Sequence, residues 1–299
     1  MNTTTVVDKQ TKQTNPNLKK VKTSNGIKRT ASLILNVFLF LLSATCLFPI
    51  IWVAYSSLKT QKEFSLNIIS LPTQFHFQNF IDAIEITNMG TLLFNSTYVT
   101  VISVVLTLVL GFVTAYVLSR FTFKGRAIVY TLFLLGMLIP IHSLLIPIFA
   151  LFNSVNIANK WYTLIFPNVA FNLPIVIFLI ENFIRTIPKE LEEAAYIDGS
   201  SMLKTMFYII LPICKPVLAT ALVLSFLHTW NEFPFALVLI NDQNLRTIPV
   251  GLANFTSSFT VNYPQLMAAL VIAILPVVIV YLVANKQIIK GMAAGAIKS

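Results

Sequence analysis

Six apolar stretches, at 33–55, 93–118, 128–152, 162–183, 213–240 and 264–285, alternate with polar segments along the chain. Each is long enough for a helix to cross the hydrocarbon layer, which takes about 20 residues. A helix satisfies its own backbone groups in lipid, so the pattern predicts an all-α integral membrane protein of six transmembrane helices. One interruption is out of proportion. From Phe183 to Pro212 the chain is largely polar, and residues 190–212 read ELEEAAYIDGSSMLKTMFYIILP. Pro188 and the acids Glu190, Glu192 and Glu193 suit a helix start. Leu191, Ala194 and Ala195 give that helix a small apolar face. Gly199 can end it with a left-handed residue, and Ser200 can cap a second short helix carrying Met202, Leu203, Met206 and Phe207. Two short helices hinged at Gly199 are therefore expected.

Composition supports the membrane reading, since 56% of the 299 residues are hydrophobic and only 11% are charged, outside the soluble range. The first apolar run follows a Thr-, Asn- and Lys-rich segment and is too long for a signal peptide, so it is expected to remain as an anchor. Residues 1–30 are read as a disordered cytoplasmic tail, 31–286 as the transmembrane domain with the long loop at 183–215, and 287–299 as a cytoplasmic C-terminal tail. Charge sets the orientation. With the N-terminus inside, the inner segments hold 17 of the 21 Lys and Arg residues, which places both termini and the long loop in the cytoplasm. The formal charge of +10 is then a topology signal, and no basic run interleaved with aromatics points to nucleic acid. Cys46 and Cys214 argue for neither a disulfide framework nor a metal site.

An amphipathic helix lying on the inner leaflet is one reading of the long loop. Three glutamates in four residues count against it, because that surface is itself anionic. A docking element for a soluble partner fits better. The spacing is also specific: Glu193-Ala194-Ala195, Gly199, Ile209 and Leu211-Pro212, with Asp198 before the glycine and Pro216 after the Leu-Pro. This resembles the EAA motif of ABC importer permeases at every fixed position. The resemblance implies a type I importer fold in which this loop docks on a cytoplasmic ATPase. Carried over by position, Glu193, Ala194, Ala195, Asp198, Gly199, Ile209, Leu211 and Pro212 would form the coupling loop.

Polar residues inside the apolar stretches are the candidates for a solute path. Ser225, His228, Thr229 and Glu232 would share one face of a continuous helix, with Trp230 and Asn231 beside them. Asn168 and Asn172, four apart, lie among Pro167 and Pro174. Polar side chains in lipid face a cavity or another helix, so path lining and interhelical hydrogen bonding both fit. His142, near Pro140 and Pro147, reads as a packing residue, and Glu181 receives no role. Gly111 and Ala115 form a small pair that lets another helix approach.

The segment WNEF at 230–233 and the six-span plan are similar to the maltose-type, carbohydrate subfamily, in particular the smaller of its two permease subunits. The resemblance implies a permease subunit in the cell membrane, forming half of the pathway for a sugar or oligosaccharide. The partners implied are a second, different permease, a cytoplasmic ATPase dimer and an extracytoplasmic solute-binding protein. The chain itself is expected to be no enzyme and to bind no cofactor, because it has no GxxxxGK[ST] phosphate loop; ATP and Mg would sit on the ATPase. An ABC permease for a polyol, glycerol phosphate or peptide, or an ion-coupled secondary transporter, are the alternatives.

Overall fold

A computed structural model describes residues 25–255 and 262–296. The expected tail before Asn25 and the last three residues lie outside them. The chain divides into two units at Trp52. In the first, the described residues form most of helix α1 (Asn25–Ser56), whose apolar side chains are exposed along its span. The remaining elements belong to the second unit, from Val53 onward.

After α1 the outer segment folds into α2 (Gln61–Leu66) and α3 (Gln78–Thr87). Thr60 and Glu63 form a reciprocal capping box at the start of α2, which satisfies two otherwise orphan donors. Hydrogen bonds, first from the Thr73 hydroxyl and then from the Thr60 backbone, hold the Glu63 carboxyl down to about 2. The cap is thus intact at neutral pH and weakens only as pH falls toward that value. Lys59 is fully buried beneath this segment and donates to the carbonyls of Asn67 and Ile68 at 3.1 and 3.0 Å. Phe75 and Phe77 remain exposed, as suits aromatics at a membrane–water boundary.

Helix α4 (Met89–Arg120) is the spine of the bundle. It packs most extensively on α7 (Ile165–Thr186) and also on α11 (Lys215–Trp230), which in turn lies along α14 (Tyr263–Ala296). Toward the inner end, Phe112, Ala115 and Tyr116 of α4 meet Val176, Ile177, Ile180 and Ile184 of α7 and Cys214 and Val217 at the start of α11. Close approach depends on Gly111, where an added Cβ would lie 2.6 Å from a Val176 methyl. Valine is stiff, so the helices would have to part. Gly111→Ala is expected to cost about 1–3 kcal/mol, read as a lower unfolding temperature of the detergent-solubilised protein.

Two expected spans are broken. In place of one helix at 128–152 there are α5 (Arg126–Gly136) and α6 (Ile141–Ser154), set at 101°. Pro140 has no N–H to continue the ladder and biases the preceding residue toward extended geometry. The fifth stretch bends by 76° at Cys214 and stops as a helix at Trp230, so 213–240 is not one rod. A short helix α12 (Pro234–Leu239) follows, then α13 (Ile248–Phe255). Among the described residues, four helices are long and apolar enough to cross a membrane, and up to six spans result if each bent pair counts as one. The last helix runs on to Ala296, so residues 287–296 extend it. Both cysteines are free thiols, Cys46 exposed and Cys214 buried.

Candidate functional site

The long loop folds as a pair of short helices, as its pattern predicts. The first, α8 (Glu190–Ile197), begins with Glu190, Glu192 and Glu193 in its first turn, where acids complement the positive end of the helix. Gly199 adopts φ +78°. The Ser200 N–H donates to the Ala195 carbonyl at 2.9 Å and the Gly199 N–H to that of Tyr196 at 3.0 Å. These are the two bonds of a Schellman stop, which favours glycine at the left-handed position. No atom lies within 4 Å of where a Gly199 side chain would start.

The second element begins one residue later than expected. Ser201, not Ser200, is the N-cap of α9 (Met202–Thr205), accepting from the Lys204 N–H at 3.4 Å. Ser200 instead receives the Thr205 hydroxyl. A π-turn at Met206–Ile210 follows, with the Leu211 N–H reaching back to the Met206 carbonyl, and then the one-turn α10 (Leu211–Ile213). Pro212 offers no N–H of its own, and wide turns of this kind often stand next to such interruptions. Ile209 and Leu211 pack against the inner apolar cluster, so both tie the loop to the bundle.

Helix α8 has two distinct faces. Ala194, Leu191 and Ile197 point outward, Ile197 with 87% of its surface exposed. Glu193, Asp198 and Gly199 lie on the exposed surface with them. Ala195 turns inward, at 7% exposure, as does Glu192 at 6%. So the two alanines of the motif face opposite ways: Ala194 shapes the outer surface and Ala195 seats the helix on the bundle. An exposed apolar strip this size beside a left-handed turn is the kind of surface a partner covers.

The polar candidates within the bundle separate into two groups. Asn168 and Asn172 are buried, donating to the Leu164 and Asn168 carbonyls, and Asn172 also donates to the Thr229 hydroxyl at 3.1 Å. Trp230 is buried and donates from Nε1 to the Ala273 carbonyl at 3.2 Å. Glu232 lies past the end of α11, so it does not continue the face of Ser225 and Thr229. Its carboxylate accepts the N–H groups of Phe235 and Ala236 at 2.6 and 3.1 Å, capping α12. Asn172 and Trp230 thus bond between helices, while Asn168 and Glu232 bond within their own stretch of chain. His228 and Asn231, by contrast, are exposed on the chain's own surface. Removal of the cap by Glu232→Ala is expected to cost about 1–2 kcal/mol, while Glu232→Gln keeps an acceptor and most of the stability. Thermal unfolding of the two purified variants separates these outcomes.

Sequence reasoning missed two clusters at the inner end. Glu181 is 1% exposed and pairs with Arg185 one turn on and with Arg126 at 3.9 Å. Arg120, in the short inner link, forms an ion pair with Glu192 at 2.5 Å. The lone acid in an apolar stretch and the basic turn SRFTFKGR at 119–126 were the available signals. Neither names its partner across such sequence distance. Among the described residues, no group of three or more His, Cys, Asp or Glu could hold a metal ion.

A family model described as binding-protein-dependent transport system inner membrane component matches residues 107–293. The match takes in the inner end of α4, both inner clusters and the whole long loop. The sulfoquinovosyl glycerol transport system permease protein of Agrobacterium fabrum is 34% identical over 253 residues, spanning 84% of this chain and 89% of that one. The trehalose/maltose transport system permease protein of Thermococcus litoralis is 33% identical over 274 residues, spanning 86% and 94%. Among solved structures, one chain of a bacterial ABC transporter that imports the acidic polysaccharide alginate is similar with a TM-score of 0.76 at 24% identity. That likeness covers 87% of this chain and 97% of the other; it speaks for the fold.

Proposed function

We propose, for a chain that belongs to the binding-protein-dependent transport system inner membrane component family, that it is one of two permease subunits of an ATP-driven sugar importer. The observation that carries the reading is the exposed face of α8 with its left-handed stop at Gly199, on a cytoplasmic loop. In this reading that face docks on an ATPase dimer through Ala194, Ile197 and the Gly199 turn, with Glu193 and Asp198 at its edge. The chain itself hydrolyses nothing; ATP and Mg are bound by the ATPase.

An extracytoplasmic binding protein delivers the solute to a path shared with the second permease. Relatives named for sulfoquinovosyl glycerol and for trehalose and maltose support a sugar or oligosaccharide over a polyol, glycerol phosphate or peptide. The exposed polar pair His228 and Asn231 is this chain's contribution to that path, because lipid would penalise both. The test is ATP hydrolysis by the reconstituted complex with its binding protein loaded from a panel of these solutes. Stimulation by mono- or oligosaccharides is expected. Stimulation by peptide or glycerol phosphate alone would replace the sugar assignment.

A further inference from the structure

The inner face of α8 carries a charge where a small apolar contact would have sufficed to seat the helix. Glu192 is one turn from Ala195 on that face, and both are buried. Its carboxylate forms an ion pair with Arg120 Nε at 2.5 Å and accepts the Tyr116 hydroxyl at 2.8 Å. Arg120 also donates from Nη2 to the Ile187 carbonyl at 3.0 Å. Tyr116 is fully buried. Both partners come from the last turns of α4, one turn apart, so an ion pair and a hydrogen bond from one helix hold one carboxylate. Arg120 in addition holds the end of the α7-to-α8 connection. The link from Ile187 to Lys189 is otherwise a short non-helical stretch, through which a displacement of α8 would dissipate.

Such a pair is costly to bury and is no strong argument for stability, since apolar residues of similar size often serve as well. What it does supply is fixed geometry. A buried ion pair and one directional hydrogen bond to the same carboxylate fix where it sits, while apolar side chains would slip. The helix that does the gripping, α4, is also the one that packs along α7 and α11, the helices bearing Asn172 and Thr229. We infer that Glu192, Arg120 and Tyr116 form a tie that passes movement of α8 into α4, so that the three act as positioning residues for coupled transport. The inference rests on the proposed permease function and concerns the transmission step within it. Energetic coupling between sites travels through contiguous physical contacts, and the ion pair and hydrogen bond between α8 and α4 make such a contact.

The test uses the complete transporter, with its ATPase, second permease and binding protein, reconstituted in liposomes. Glu192→Gln removes the ion pair and keeps the volume. The double variant Arg120→Met/Glu192→Leu replaces the pair with apolar side chains of similar size. Three quantities are read: recovery of the assembled complex, ATP hydrolysis without and with the loaded binding protein, and solute uptake. Assembly and unstimulated hydrolysis are expected to persist in the double variant, with stimulation and uptake lowered about tenfold or more, within the range of typical coupling energies. Stimulation and uptake at the unmodified level in either variant would overturn the tie. Failure of both to assemble would do so too, by making the cluster a folding element. If the unmodified complex moves no solute with ATP, the permease reading itself fails, and that outcome is visible before any variant is compared.

Discussion

Gly199→Val abolishes ATP-driven uptake while the protein remains in the membrane at its usual level. The two halves of this result have separate causes. Nothing in the chain lies near the position of the new side chain, so no packing is lost. The cost is the left-handed backbone at φ +78°, about 1–2 kcal/mol for an ordinary residue and more severe for a β-branched one. A membrane bundle held by α4, α7 and α11 tolerates that locally. The Schellman turn does not. Its loss swings Ile197 and the start of α9 out of register with a docked partner. Asparagine enters the left-handed region more readily, so Gly199→Asn retains more uptake than Gly199→Val. Equal loss in both would trace the effect to side-chain bulk on the docking surface. Uptake assays on membrane vesicles, with immunoblots for the amount of protein, make the comparison.

The second large effect separates path from packing. Leucine at both His228 and Asn231 lowers uptake by about one to two orders of magnitude with the complex intact, the range spanned by loss of one or two good polar contacts. Both side chains are exposed on this chain, so their replacement disturbs no internal bond except that of Asn231 to its own helix at the Leu227 carbonyl. Asn172→Leu acts differently. It breaks the hydrogen bond to Thr229 and leaves a buried hydroxyl without its donor, at about 1–3 kcal/mol. Less folded complex is recovered, but each recovered complex transports at nearly the unmodified rate. If Asn172→Leu instead changes the solute concentration for half-maximal uptake, Asn172 touches the solute in another conformation and belongs with the path residues.

The long loop was the most legible part of the chain. Its helix start, its glycine stop and its second helix were all readable because each depends on local rules: acids in a first turn, positive φ, a serine cap. The error of one residue at the second cap has the same origin, since Ser200 and Ser201 are chemically equivalent and only their bonds to Thr205 and Lys204 tell them apart. The small pair on α4 was readable in kind, though its partner Val176 was not. Long-range pairing was hidden. Nothing near Glu192 reveals that it turns inward to Arg120, because three adjacent-looking acids on a short helix differ only in which face meets the bundle.

Breaks were hidden too. The apolar run at 213–240 has no acid until Glu232, and apolar continuity alone cannot show that a helix ends at Trp230 and restarts at Pro234. Glu232 was expected on one face with Ser225, His228 and Thr229, and in the fold its carboxylate caps α12 instead. Exposure on the chain's own surface, which only the fold supplies, moved the assignment to His228 and Asn231.

In the proposed reading this chain turns movement of a cytoplasmic ATPase into solute passage. Liposomes holding the complete complex, with the loaded binding protein outside and ATP enclosed within, put that coupling to the test through the entry of labelled oligosaccharide. Entry is expected to require both ATP and the binding protein, and to be unaffected by collapsing proton and sodium gradients. Entry driven by an imposed ion gradient in the absence of ATP would refute the coupling.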